Sequence, residues 1–216
     1  MNATRERRLI PIEGPGHTYT IDGRPLVSVT SVIREVLRAP ALEQWFKMVG
    51  MAADTIRDEA AAFGKSVHAG LAAHASGHNL LPMDMPETWE QTVEAGRRWI
   101  DGNLEEVYAV EQAVASAKYG YAGKPDIYGR RYNHRTPVLI DFKTTAAVYW
   151  SHPMQLAAYR KAAAETYGDR PAERIVLLFS KDEPGRVTEH HFKQHDRDFA
   201  AFGYCLALFN LMKGGI

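Results

Sequence analysis

The stretch VLIDFKTT, residues 138–145, constrains the fold of this chain more than any other. Val138, Leu139, Ile140 and Phe142 form an apolar run of strand length, the pattern of a strand set inside a core. Strand side chains alternate faces, so Leu139, Asp141 and Lys143 share one side while Ile140 and Phe142 share the other. A core strand must therefore hold an acid and a base next to each other on one face. Taken alone, that pair also fits a surface ion pair on a half-exposed strand.

The flanking sequence supplies the elements around this strand. HTYTIDGRPLVSVT alternates about Asp22-Gly23, a hairpin turn signal. Thr30 or Ser31 can cap a helix through VIREVL that Pro40 stops, and ALEQWFKMVG reads as a second short helix ending at Gly50. Residues 51–76 have alanine-rich helical spacing, and a further helix runs from Pro86 to Gly102. The texture then changes to three strand-like segments, VYAVEQAVAS, YAGKPDIYG and PVLIDFKTT. A helix follows from about Ser151, a plausible cap, to Tyr167. RIVLLFS reads as a buried strand, GRVTEHHF as its hairpin partner, and DRDFAAFGYCLALFNLMK as a closing helix.

Helices first, then an antiparallel meander, then helix–strand–strand–helix predicts a mixed α/β (α+β) fold, a central mixed sheet flanked by helices. Residues 17–216 are expected to form a single domain, with a hairpin and helical part over 17–103 and a sheet core over 104–216. Residues 1–16, charged and then punctuated by Pro and Gly, read as a flexible tail.

Composition narrows the function classes. The single cysteine, Cys205, leaves no disulfide framework and no four-cysteine iron–sulfur or zinc site within one chain. Twenty-six basic and 26 acidic residues give zero formal net charge, so a nucleic-acid role would need a local basic surface. No apolar run approaches the ~20 residues of a membrane span, and MNATRERRLI lacks a signal-peptide core, so a cytoplasmic location is expected. No G-x-x-x-x-G-K-[ST] occurs, so ATP-driven unwinding would need a partner.

Three further places carry chemistry. Asp126 follows Pro125 in AGKPDIYG, and a hairpin through GRRYNHRTP would bring it close to Asp141. Carboxylates held together repel unless a cation neutralises them, and hard oxygen ligands suit Mg²⁺ or Mn²⁺. Asp126 also fits a plain turn-flanking role. Gln155 and Tyr159 are four apart and project from one helix face, although core packing accounts for that spacing too. Gly64 and His68 are four apart in the alanine-rich helix, the glycine leaving space beside an imidazole.

In the order G-x-x-x-H, P-D, D-x-K, Q-x-x-x-Y, the sequence resembles the PD-(D/E)XK nuclease superfamily. The similarity is to its RecB-like branch, which includes mitochondrial genome maintenance exonuclease and many phage exonucleases. SVTSVI, FGKSVH, AVEQAV, AGKPDIYG, LIDFKT and HPMQLAAY carry the resemblance, and RIVLLFSKD matches the strand that closes the family core. It implies a restriction-endonuclease-like core with an N-terminal helical region. It further implies Asp126 and Asp141 as metal-binding carboxylates, completed by the Phe142 backbone carbonyl and the His68 imidazole. Lys143 would orient the attacking water or neutralise developing charge. Gln155 and Tyr159 would support the site and contact DNA, and Glu111 is an outer-shell candidate.

Expected cofactors are one or two Mg²⁺ or Mn²⁺ ions and no iron–sulfur cluster. Expected contacts to DNA are Lys65, Thr144, Gln155, Tyr159, Arg130 and Arg131, with Arg135 and Lys118 as further basic candidates. The resemblance implies a DNA exonuclease that leaves 5′-phosphates, in recombination, repair or phage replication. The alternatives are a structure-specific endonuclease with the same site, or a non-catalytic DNA-end-binding module. A single-strand-annealing, single-strand-binding or helicase protein is a possible partner, no membrane is involved, and an oligomer stays open.

Overall fold

The computed structural model describes residues 9–12, 18–37, 52–78, 85–168 and 170–214. Its strands are β1 Leu9–Ile12, β2 Thr18–Ile21, β3 Arg24–Ser28, β4 Leu104–Val110, β5 Val114–Ser116, β6 Tyr121–Gly123, β7 Ile127–Arg131, β8 Pro137–Lys143, β9 Glu173–Phe179 and β10 Val187–His191. Among the described residues the helices are α1 Val29–Val36, α2 Ala52–Ala75, α3 Glu87–Asn103, α4 Ser151–Tyr167 and α5 His195–Gly214. This is the expected mixed α+β class.

The central sheet has the order β10-β9-β8-β7-β4. β8 and β9 pair in parallel through the α4 crossover, and the other neighbours are antiparallel. The VLIDF strand is thus second to none in burial, with neighbours on both edges and helices on both faces. Leu139 packs with Leu156 and Ala158 of α4 and Phe202 of α5. Ile140 and Phe142 turn the other way, onto Phe63, Val67 and Leu71 of α2 and Val93 of α3. The alternation expected from the sequence is therefore the partition between two helical layers.

A second sheet, β1-β2-β3-β6-β5, holds the hairpin. Asp22 and Gly23 have φ of 50° and 75°, the left-handed pair that a two-residue hairpin requires. One expectation changes here. Leu9–Ile12 lies in the stretch read as a flexible tail, yet it pairs antiparallel with β2, opposite Thr18–Ile21. Its LIPI pattern gives an edge strand on which Pro11 is tolerable.

The segments read as single strands over VYAVEQAVAS and YAGKPDIYG are each broken in two, and their halves belong to different sheets. The breaks fall at Glu111, which has φ of 46°, and at Lys124–Asp126 around Pro125, which has no N–H to give a ladder. The first helix starts at Val29, a residue or two before the expected caps, and Trp150 rather than Ser151 precedes α4, with no side-chain cap at either. The expected helix over 41–50 lies outside the described residues.

Candidate metal centre

Both sheet breaks open at the same place. The β7–β8 backbone ladder stops at Ile127–Ile140, and the side chain of Asp126 takes over from it. Its Oδ2 accepts the Phe142 N–H at 2.6 Å and its Oδ1 lies 3.0 Å from His68 Nδ1. Asp126 is only 8% exposed, so the carboxylate is held in one orientation by α2 and β8 together. In a strand, the N–H and C=O of one residue point the same way, so the Phe142 carbonyl faces Asp126 as well. The His68 ring is set edge-on against Phe142, with centroids 5.6 Å apart.

Glu111 comes closer than an outer-shell position. Metal-capable atoms of His68, Glu111 and Asp126 all lie within 4.8 Å of one another. The Glu111 N–H donates to the Asp126 carbonyl at 2.9 Å, and its carboxylate lies 3.2 Å from Lys124 Nζ. Holding an L-residue at φ 46° costs of order 1–3 kcal/mol, which the surroundings offset and which is common where geometry serves a site. No spacing rule finds Glu111, because the strand break, not the strand register, aims it.

Asp141 is 3% exposed and sits on the α4 side of the sheet. Gln155 Nε2 donates to its Oδ1 at 3.0 Å and to the Tyr159 hydroxyl at 3.0 Å. Lys143 Nζ lies against Oδ2 as an ion pair and is the partner of that buried oxygen. Burial pushes the Asp141 carboxyl above its ordinary range; the charge of Lys143 pulls it down and that of Asp126 pushes it up. Burial works against a charged His68 ring, but its hydrogen bond to Asp126 and the charges of Asp126 and Asp141 prevail and raise its pKa.

These donors fit a hard divalent cation. The His68 imidazole and the Glu111 and Asp126 carboxylates, with the buried Asp141 carboxylate outside that trio, form the mainly oxygen set that Mg²⁺ or Mn²⁺ takes.

The supporting residues sit differently from expectation. Tyr159 is 2% exposed, and burial drives its hydroxyl pKa well up, so it braces Gln155 from inside and presents no face to DNA. Its ring lies over Gly123, where a Cβ would come 2.2 Å from a ring carbon. Gly64 makes room for Thr144 rather than for the imidazole, since a Cβ there would meet the Thr144 hydroxyl at 2.9 Å. Lys65 is exposed on α2, and Lys118 and Arg135 are exposed on loops.

Arg130 and Arg131 are each paired with acids of other strands, those of Arg130 at the surface. Arg130 is bound by Glu105 at 2.6 Å and Glu106 at 2.9 Å, and Arg131 by Glu189 at 3.1 Å and Asn103 at 2.9 Å. Both lie at the end of β7 remote from Asp126. The sequence shows the arginines but not the glutamates that β4 and β10 bring beside them.

No helix among the described residues is long and apolar enough to cross a membrane. No protein-family model matches the sequence, and no curated protein matches it. Solved structures do match. The crystal structure of SSO0001 has a TM-score of 0.48 at 17% identity, over 88% of this chain and 76% of that one. A candidate exonuclease of Eubacterium rectale has a TM-score of 0.51 at 10% identity, over 71% of this chain and 69% of that one. At such identity the likeness to the second structure speaks for architecture alone, and it agrees with the α+β fold described above.

Proposed function

We propose that this chain is a Mg²⁺- or Mn²⁺-dependent DNA exonuclease of the RecB-like branch of the PD-(D/E)XK superfamily. The observation that carries this reading is the Asp126 carboxylate, fixed between the Phe142 N–H and His68 beside the Asp141–Lys143 pair. A carboxylate pair, a histidine and a lysine converge there although they come from α2, β8 and the turn before β7.

His68, Asp126, Asp141 and the Phe142 carbonyl would hold the cation, with Glu111 beside them. A bound divalent ion supplies charge relief on the phosphate oxygens and a more acidic water. Lys143 would place a fixed positive charge where negative charge grows as water oxygen attacks phosphorus. The P–O bond to the departing 3′-oxygen breaks, which leaves a 5′-phosphate on the other product. Gln155 and Tyr159 keep Asp141 aimed while this happens.

The test is degradation of end-labelled single- and double-stranded oligonucleotides with Mg²⁺, Mn²⁺ or EDTA, beside an Asp141→Ala variant. Metal-dependent shortening from one end, lost in the variant, supports the reading. Cutting of covalently closed circles would instead make the chain an endonuclease. No cleavage under any condition would leave a binding module.

A further inference from the structure

A cluster of cations lies at the other end of the central sheet from the candidate metal centre. Because β9 runs parallel to β8, its Arg174 stands beside Leu139, and Lys143 is four residues further along, roughly 13 Å. At this end an open groove of 660 Å³ is lined by Arg160, Arg170, Lys193, His195, Asp196 and Arg197. A smaller hollow adjoins it, sharing Arg160 and Arg170 and adding Lys161 and Tyr119.

Among the described residues that line the groove, Arg160, Arg170, Lys193 and Arg197 face one carboxylate, Asp196, while Glu165 beside Lys118 already accepts from the Ser116 hydroxyl. Asp198 is occupied by Arg174 at 2.7 Å and Arg197 at 3.0 Å, and Asp196 stands 3.9 Å from Arg170. Glu173, which lines a neighbouring hollow, is engaged by Arg131 and His134. Arg174 is a fixed charge beneath the surface, 1% exposed and donating to the carbonyls of Pro153 and Phe192. The crowding registers on neighbours: burial, then the charges of Arg170 and Arg174, brings Arg160 down to about 10. His195 is lowered by burial and by the same arginines together with Arg160. A zero-charge chain has thus gathered positive charge in one concave place.

An aromatic face lies among these cations. The Tyr119 ring is 37% exposed, and Lys118 Nζ and Lys161 Nζ stand 5.2 and 6.0 Å from its centroid. Cations that track phosphates beside a ring on which a base can stack are the combination used for nucleic-acid strands. An acidic peptide would use the cations and leave the ring idle.

We propose that this groove is a second nucleic-acid site, which grips the phosphodiester backbone away from the scissile bond. The proposal rests on the nuclease reading for its purpose, but its test does not require cleavage. The whole chain carrying Asp141→Ala is titrated in EDTA with a fluorescein-labelled single strand of about 20 nucleotides, and anisotropy is read across a salt series. The comparison protein adds Lys161→Ala, Arg170→Ala and Lys193→Ala, checked for an unchanged melting temperature.

Three lost phosphate contacts should weaken binding at least about tenfold near 0.1 M salt and make the log–log salt slope shallower by about 2. Tyr119→Ala should weaken it several-fold at unchanged slope. With Asp141 intact, the triple variant should cut a strand of about four nucleotides at the native rate and lose affinity for long strands only. Equal affinity and slope in the triple variant overturns the proposal. So does tighter binding of poly-glutamate than of the oligonucleotide, which would make the groove a dock for an acidic protein segment. Groove-dependent binding by a chain that cleaves nothing would sustain the groove and remove the nuclease reading alone.

Discussion

Oδ2 of Asp126 accepts the main-chain N–H of Phe142 at 2.6 Å, so a side chain completes the sheet where the backbone ladder has ended. The bond pins the carboxylate beside the residue that separates Asp141 from Lys143. Any change at Asp126 therefore acts on structure and on metal binding at once, and the two can be read separately.

For Asp126→Asn, the amide oxygen can still accept from Phe142, but its NH₂ then faces His68 Nδ1, so the bond from a charged imidazole to a carboxylate is lost and His68 must be neutral to accept. Losing a hydrogen bond to a charged group costs about 1.5–3 kcal/mol, which denaturant unfolding in EDTA will show. Saturating Mn²⁺ should stabilise the native chain by mass action and leave the variant where it was. Equal Mn²⁺ stabilisation of both proteins would sink the ligand role of Asp126.

Lys143→Met separates chemistry from binding. Its ammonium lies against the buried Asp141 and, in the proposed function, faces the reacting phosphate. Cleavage should fall at least about 100-fold, while calorimetric Mn²⁺ binding persists. A variant with near-native turnover would assign Lys143 to structure.

Gly123→Ala tests the brace behind the site. The added methyl would enter the Tyr159 ring, so the ring must move, and overpacking of this kind costs about 1–3 kcal/mol. Because Tyr159 holds Gln155, and Gln155 holds Asp141, turnover should fall together with stability. Gly123→Ala combined with Tyr159→Leu should cost less than the sum of the two changes, the mark of a direct contact.

Asp198→Ala removes the partner of a fully buried guanidinium, since the Arg174 side chain is 0% exposed and bonds Asp198 at 2.7 Å. Breaking such a pair from one side costs about 3–5 kcal/mol. Replacing both, with Arg174→Met and Asp198→Leu, should cost less than the single change, as chemical unfolding will show.

His152 makes stability depend on pH. Burial, with the charges of Lys143 and His190, lowers its pKa from 6.5 to about 4. Below pH 6.5 the unfolded chain takes up this proton and the folded chain does not, so stability is lost as pH falls from 6.5 toward 4. His152→Leu should flatten the melting temperature over that window relative to the native chain, and an unchanged slope would assign it to other groups.

The sequence by itself determined what local pattern can determine. Alternation in VLIDFK set Leu139 and Asp141 against Ile140 and Phe142, the Asp22-Gly23 pair set the hairpin, and the order of elements set the α+β class. These follow from the period of a strand and the φ preferences of single residues, which act over a few positions. Resemblance, not periodicity, gathered His68, Asp126, Asp141, Lys143, Gln155 and Tyr159 into one site, and the fold brings their side chains together.

Tertiary structure decided what depends on partners distant in sequence. It drew Glu111 inward through a strand break, buried Tyr159 over Gly123, and paired Arg130 and Arg131 with glutamates of β4 and β10. It also collected the cations of α4, the β10–α5 loop and α5 at the far end of the sheet. A charge's role is set by what lies within a few ångströms of it, and only the packed chain fixes those neighbours.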